Sequence, residues 1–210
     1  MSTLIVVGGY APESLSSSFP TYDKVIAADS GYDSSKRLSI TPDYVIGDFD
    51  STIYKDEILS LGYKAYPRDK DFTDAELALK LVEGDYDILG GGEGRIDHLF
   101  ALVSLFEHYG YPKRWFMRSD TLISLKGKYR IHLKKDTELS FFSPYGSVIT
   151  TSGLVWDMKE HELNLGFVSL SNRMKEDSAS VESIGTTLMR IDPEDYRENV
   201  AAVFNTFDLC

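Results

Sequence analysis

The chain has 210 residues, of which 42% are hydrophobic, and a formal net charge of -11. That length forms one large domain or two modest ones with a real core. The charge excludes a general nucleic-acid or anionic-membrane surface, which needs basic patches. The only cysteine is Cys210, so no disulfide forms within the chain, in keeping with a reducing cytoplasmic setting. Met1 to Gly9 carries neither a basic leader nor a long apolar segment, and no run approaches the length of a membrane-spanning helix. A cytoplasmic protein with no membrane and no nucleic-acid partner is expected.

In chain order, strands are predicted at Leu4–Val7, Val25–Ala28, Tyr44–Ile46, Lys64–Tyr66, Ile88–Leu89 and Trp115–Met117. Helices are predicted between them at Thr52–Leu61, ended by Gly62, at Ala75–Val82, ended near Gly84, and at His98–Tyr109, ended by Gly110. In the last of these, Leu99, Leu102, Val103 and Phe106 share one face. Strands alternating with helices predict a mainly parallel sheet covered on both faces, an α/β domain over residues 1–119.

From about Asp120 the rhythm changes to β-like segments at Leu122–Leu125, Tyr129–Leu133, Glu138–Ser143, Ser147–Thr151, Leu154–Met158, Gly166–Ser171, Ser180–Ile184 and Thr187–Ile191. Turn residues such as Lys126-Gly127-Lys128 separate several of them, which predicts an antiparallel β-sandwich domain over residues 120–210. The tail reopens a helical pattern. Asp192 can cap it, Pro193 suits its first position, and Tyr196, Val200, Val203, Phe204 and Phe207 can form its apolar face.

The most informative stretch is Tyr44-Val45-Ile46-Gly47-Asp48-Phe49-Asp50-Ser51. In extended backbone, residues two apart point to the same side, so Asp48 and Asp50 would aim at one point. Two like charges held together need a proton or a cation between them, and a divalent ion with oxygen ligands is the simplest resolution. The same residues also suit a loop in which Asp50 or Ser51 caps the next helix.

Nearly every predicted strand of the first half ends in Gly, Asp or both, and open parallel sheets bind ligands outside the carboxyl ends of their strands. Gly8-Gly9, Asp29-Ser30-Gly31, Gly47 to Asp50, Arg68 to Asp74 and Gly90 to His98 would share one rim. Thr73 with Glu76 forms a capping box, and Asp74 suits the first turn of a helix. Capping leaves Asp69, Lys70 and Asp71 unexplained. Asp71 can join Asp48 and Asp50 around a metal, and Lys70 or Arg68 can reach a phosphate. The Gly90–Gly94 loop lets backbone N–H groups approach a phosphate at a helix N-terminus, though it is neither a dinucleotide fingerprint nor a Walker A loop. Arg95 offers a fork for phosphate oxygens. Asp97 can bind a metal, orient a hydroxyl, or cap the helix that begins at His98. The four histidines show no zinc-ligand spacing.

Ala28-Asp29-Ser30-Gly31, Gly47-Asp48-Phe49-Asp50-Ser51, Asp69-Lys70-Asp71-Phe72-Thr73-Asp74 and Gly94-Arg95-Ile96-Asp97-His98 occur in the order seen in thiamine pyrophosphokinases. The chain resembles that family from Leu4 to about Ile191. The resemblance implies transfer of a diphosphoryl group from the co-substrate ATP to the hydroxyethyl oxygen of thiamine, giving thiamine diphosphate and AMP. It implies an ATP- and Mg2+-binding α/β catalytic domain, a thiamine-binding β domain, and a homodimer with active sites at the subunit interface.

Carried over by position, Asp48, Asp50 and Asp71 resemble the Mg2+ cluster. Together with Asp74, Arg95 and Asp97 they resemble the catalytic set. Asp29, Thr73, Gly92, Gly94, Arg95 and His98 resemble the nucleotide-facing residues. Ser152-Gly153-Leu154-Val155-Trp156 resembles the family's S-G-L-x-W segment, whose tryptophan stacks on thiamine, and Ser171-Asn172 resembles the S-N pair near the same pocket. Glu93, which adds a negative charge beside Arg95, and the tail from Asp192 depart from the pattern. Two other readings compete: a related pyrophosphokinase acting on another alcohol such as a hydroxymethyl pterin, and a non-catalytic nucleotide- or thiamine-binding module.

Overall fold

Ser2–Val6 (β1) buries Leu4, Ile5 and Val6 in succession and so has no polar face in this stretch. That is the signature of a strand covered on both sides. In the computed structural model, which describes residues 1–17 and 19–199, β1 is the centre of a parallel sheet. Two units are distinguished, Met1–Arg118 and Ser119–Cys210. The first contains β2 (Lys24–Ala28), α1 (Gly31–Arg37), β3 (Tyr44–Ile46), α2 (Lys55–Ser60), α3 (Asp74–Leu79), β4 (Asp85–Leu89), α4 (Ile96–Tyr109) and β5 (Arg114–Phe116). Its strands lie in the order β5-β4-β1-β2-β3, and the pairings between neighbours are parallel. The chain builds outward from β1 in one direction through β2 and β3, then in the other through β4 and β5. The order therefore reverses between β1 and β4, which opens a crevice at the carboxyl ends of the strands.

Several predicted boundaries shift for local reasons. Lys64–Tyr66 forms no strand; Tyr66 donates its amide to the Gly47 carbonyl at 2.8 Å and stops there. The second helix begins at Lys55 rather than Thr52, with no side-chain cap, so neither Asp50 nor Ser51 caps it. Asp33 instead receives the Thr52 hydroxyl and holds this turn. Thr73 does cap α3, accepting the Glu76 amide at 3.1 Å. The fourth helix starts at Ile96, which places Asp97 in its first turn and not at its cap. α1 has no apolar stripe in Gly-Tyr-Asp-Ser-Ser-Lys-Arg, and it forms because Gly31 packs directly on β1. A Cβ there would stand 2.0 Å from the Val6 carbonyl oxygen. Gly31→Ala is expected to destabilise the protein by about 3 kcal/mol through this overpacking against backbone that cannot yield, read as a lowered midpoint in chemical denaturation.

The second unit holds β6 (Thr121–Ile131), β7 (Glu138–Phe142), β8 (Ser147–Ser152), β9 (His161–Leu163), β10 (Ser169–Arg173), β11 (Ala179–Ile191) and α5 (Pro193–Asn199). β11 is its axis. β6 pairs antiparallel along both halves of β11, β8 pairs with Ser180–Ile184, and β7 pairs with Leu188–Ile191. A register shift between Ser183 and Thr187, with Gly185 at φ 82°, separates the two halves and gives the bend that a bulge provides. Lys126-Gly127-Lys128 is thus not a turn but the middle of β6, where Gly127 sits opposite Ser183. Leu154–Met158 is not a strand, because Asp157 accepts the Leu154 amide at 3.0 Å and closes a turn. Asp192 caps α5 through the Glu194 amide at 2.8 Å, and Tyr196 is buried. Val200, Val203, Phe204 and Phe207 lie outside the described residues. Among the described residues no helix is long and apolar enough to cross a membrane.

Candidate active site

The carboxyl ends of β1, β2 and β3, the start of α3 and the loop before α4 enclose a cavity of about 600 Å³. It lies beside the strand-order reversal. One glycine brings its walls together. Gly91 has φ 73°, and a Cβ on it would meet Val7 Cγ2 at 2.7 Å and Leu102 Cδ2 at 2.9 Å. Its amide donates to the Gly8 carbonyl at 3.0 Å, which ties the β4 loop to the β1 loop. Gly92, expected to face the nucleotide, does not line the cavity; a Cβ there would strike Met117 Sδ at 2.3 Å, so packing requires this glycine. Gly94 and His98 do line it, as does Glu93.

Asp29, Asp48 and Asp50 converge. One carboxylate oxygen from each lies within 4.8 Å of the other two. The convergence of Asp48 and Asp50 does not come from extended backbone. Phe49 between them has φ 58° and is 1% exposed, packed with Ala27, Tyr32, Val45 and Ile58. Burying that ring pins a left-handed turn and leaves the flanking carboxylates at the surface of the cavity. Asp29 follows β2, has φ 46°, and donates its amide to the Ile46 carbonyl at 2.8 Å. The parallel pairing of β2 with β3 thus carries it to the same point.

Asp29 is 9% exposed, and its Oδ1 is buried with no hydrogen-bond partner. Burial pushes its carboxyl above the usual carboxylate value, with the Asp74 and Asp48 charges adding to the effect. A buried carboxylate oxygen lacking a donor is costly. Three carboxylates around one point form an oxygen donor set that suits a hard divalent cation.

Asp48, Asp50 and Asp74 have cationic partners. The Asp50 carboxyl is held below its ordinary value by the Ser51 hydroxyl, with Arg68 also contributing. Lys70 Nζ stands 3.1 Å from Asp48 Oδ2 and 3.1 Å from Asp74 Oδ1. Burial raises the Asp74 carboxyl in spite of Lys70. Asp71, expected as the third metal ligand, is exposed and lies outside the cluster and the cavity wall. Bends at residues 68–69 and 71–72 turn Lys70 toward the carboxylates in its place. Arg95 lines the cavity and grips Asp97 with two hydrogen bonds, one of 3.1 Å from Nε. That contact holds the Asp97 carboxyl down. At 71% and 59% side-chain exposure the pair is cheap to separate.

In the second unit Trp156 is 56% exposed, and Asn172 beneath it is 1% exposed. Asn172 Nδ2 donates to the Trp156 carbonyl at 2.8 Å, and Oδ1 accepts the Trp156 amide at 3.2 Å. The Arg173 guanidinium lies 5.5 Å from the Trp156 ring centroid. Ser171 is exposed with φ 51°.

Two family models match the chain: "Thiamin pyrophosphokinase, catalytic domain" over residues 16–115 and "Thiamin pyrophosphokinase, vitamin B1 binding domain" over residues 128–184. The chain belongs to the thiamin pyrophosphokinase family. The first family match falls within the first unit and the second within the second.

Thiamine pyrophosphokinase 1 of Arabidopsis thaliana is 29% identical over 178 residues, covering 71% of this chain and 65% of that protein. Thiamine pyrophosphokinase 2 of the same plant is 28% identical over 175 residues with the same coverage. The chain thus spans just under two thirds of these relatives. Thiamin pyrophosphokinase from Geobacillus thermodenitrificans superposes with a TM-score of 0.71 at 24% identity, covering 91% of this chain and 97% of that one. The yeast thiamin pyrophosphokinase superposes with a TM-score of 0.65 at 16% identity, covering 95% and 87%. These superpositions establish a shared mixed α/β fold. Within this family the motif around Asp29 is the one whose part in the acidic cluster sequence reasoning missed; its position just after a strand was the available signal.

Proposed function

We propose that the chain is a thiamine diphosphokinase, transferring the diphosphoryl group of ATP to the thiamine hydroxyl with release of AMP. The observation that carries the reading is the orphaned Asp29 oxygen converging with Asp48 and Asp50 at the mouth of a strand-end cavity, in a chain that also matches a vitamin B1 binding domain. Asp29, Asp48 and Asp50 would hold Mg2+, with Asp74 beside them on the cavity wall. Bound there, Mg2+ would offset charge on the triphosphate as the phosphorus–oxygen bond breaks.

The chain's own residues do the rest. Amides of Glu93 and Gly94 and of the start of α4 meet phosphate oxygens. Arg95 exchanges Asp97 for phosphate, a better partner for its fork. Asp97, released, accepts the proton of the attacking hydroxyl. Thr73 and His98 border the nucleotide. Trp156 presents its face to the fixed positive charge of the thiazolium, with Asn172 holding the tryptophan backbone and Ser171 beside it. The second unit is read as an antiparallel β-sandwich bent across β11 that serves as the thiamine-binding domain. A cytoplasmic homodimer with interfacial active sites completes the reading.

AMP release from ATP and Mg2+ should depend on thiamine; AMP formation indifferent to thiamine would reject the proposal, and preference for a hydroxymethyl pterin would redirect it. Trp156→Ala is expected to raise the KM for thiamine by roughly 10- to 100-fold through loss of a cation–π contact and its stacked area. ATP binding, measured by calorimetry, should stay within about twofold, because the nucleotide contacts come from other residues.

A further inference from the structure

The segment between β3 and α3 brings three cations to the acidic rim, of which Lys55 reaches only the backbone, its Nζ donating to the Asp48 carbonyl oxygen at 3.2 Å. Arg68 Nη2 lies 2.8 Å from Asp50 Oδ2, but its side chain is 78% exposed. Lys70 is different: it bridges Asp48 and Asp74 at 3.1 Å each, and its side chain and that of Asp48 are both 13% exposed. Solvent screens the first pair and largely spares the second. Both partners of Lys70 line the cavity, whereas Lys70 itself does not. Its ammonium is therefore fixed into the rim by two carboxylates without filling the space a ligand would take.

A fixed positive charge at this point acts oppositely on two visitors. It repels a bare divalent cation and competes with it for Asp48. It attracts a metal–triphosphate complex, whose net charge is negative. Resting on the metal–nucleotide reading of this rim, we propose that Lys70 is a specificity-determining and positioning residue. It holds Asp48 and Asp74 together before the ligand arrives and biases the site toward the metal–nucleotide complex over the free ion.

The test uses the full-length protein, with Mn2+ as the metal, its free concentration read by electron paramagnetic resonance, and α,β-methylene-ATP as the unreactive nucleotide. Lys70→Met is expected to bind Mn2+ alone roughly five- to tenfold more tightly and the Mn2+–nucleotide complex roughly five- to tenfold more weakly, the span of an ordinary coupling between sites. The metal-free Lys70→Met protein should also melt at a lower temperature than the wild type. Lys70→Arg should keep the wild-type order of the two affinities. Lys70→Gln provides a neutral polar replacement should methionine disturb folding. If both affinities move in the same direction, or neither moves, Lys70 is only a structural tether and the proposal falls. If Asp48→Asn leaves Mn2+ binding unchanged, the metal reading of the rim fails, and the role of Lys70 fails with it.

Discussion

Asp48→Asn should lower turnover by on the order of 10³-fold, a loss of about 4 kcal/mol of transition-state stabilisation at a charge-neutralising site. The protein should nevertheless stay folded. Asn keeps the oxygen that accepts the Asp50 amide at 3.2 Å. Losing the ion pair to Lys70 is offset by relief of repulsion from Asp29 and Asp50, which share the 4.8 Å cluster. The net change in stability is expected within about 1 kcal/mol, the ordinary range for a substitution that opens no cavity. Steady-state kinetics beside thermal melting separates the two effects. A variant retaining more than a tenth of the wild-type turnover would show that Asp48 does not hold the metal.

Asp29→Asn should do the reverse of most active-site changes and stabilise the metal-free protein, by about 1 kcal/mol, because it removes a buried charge one of whose oxygens, Oδ1, has no hydrogen-bond partner. Asn suits the left-handed backbone at φ 46°. The sign follows from linkage. Burial raises the folded-state pKa of Asp29 above its ordinary 3.8. A carboxyl shifted upward contributes stability that is full below the unfolded value and lost as pH rises through the folded one. Ionising wild-type Asp29 as pH rises therefore costs stability, and Asn carries no such charge. The advantage of Asp29→Asn in melting temperature, measured with a chelator present, should shrink as pH falls toward 3.8. Added Mn2+ should raise the melting temperature of the wild type and leave the variant where it is. A variant that melts below the wild type at neutral pH, or a gap independent of pH, would contradict the assignment of Asp29 as a buried carboxylate whose charge burial penalises.

The parallel sheet was legible because its strands are short, apolar and separated by helices, a pattern that local spacing carries. The strand-end rim was legible for the same reason, since each Gly or Asp sits directly after an apolar run. What spacing could not carry was nonlocal. Asp29 reaches Asp48 only because Ala28 pairs with Ile46 across β2 and β3, a register that no local motif states. Lys70 and not Asp71 points to the cluster because the chain bends on both sides of it. In the second unit, Lys126-Gly127-Lys128 has every local mark of a turn. Pairing with β11 overrides that preference and draws the residues into one long strand. α1 escaped notice because its burial comes from a glycine against β1 rather than from an apolar face.

The central physical claim is that three carboxylates from β2 and β3 gather at one point to hold a metal-bound triphosphate. The most direct measurement is a crystal structure with Mn2+ and α,β-methylene-ATP, recorded near the manganese absorption edge. An anomalous peak within coordination distance of Asp29, Asp48 and Asp50, with nucleotide phosphate completing its shell, is the expected result. A peak held elsewhere, or nucleotide bound with no metal at these three residues, would contradict it.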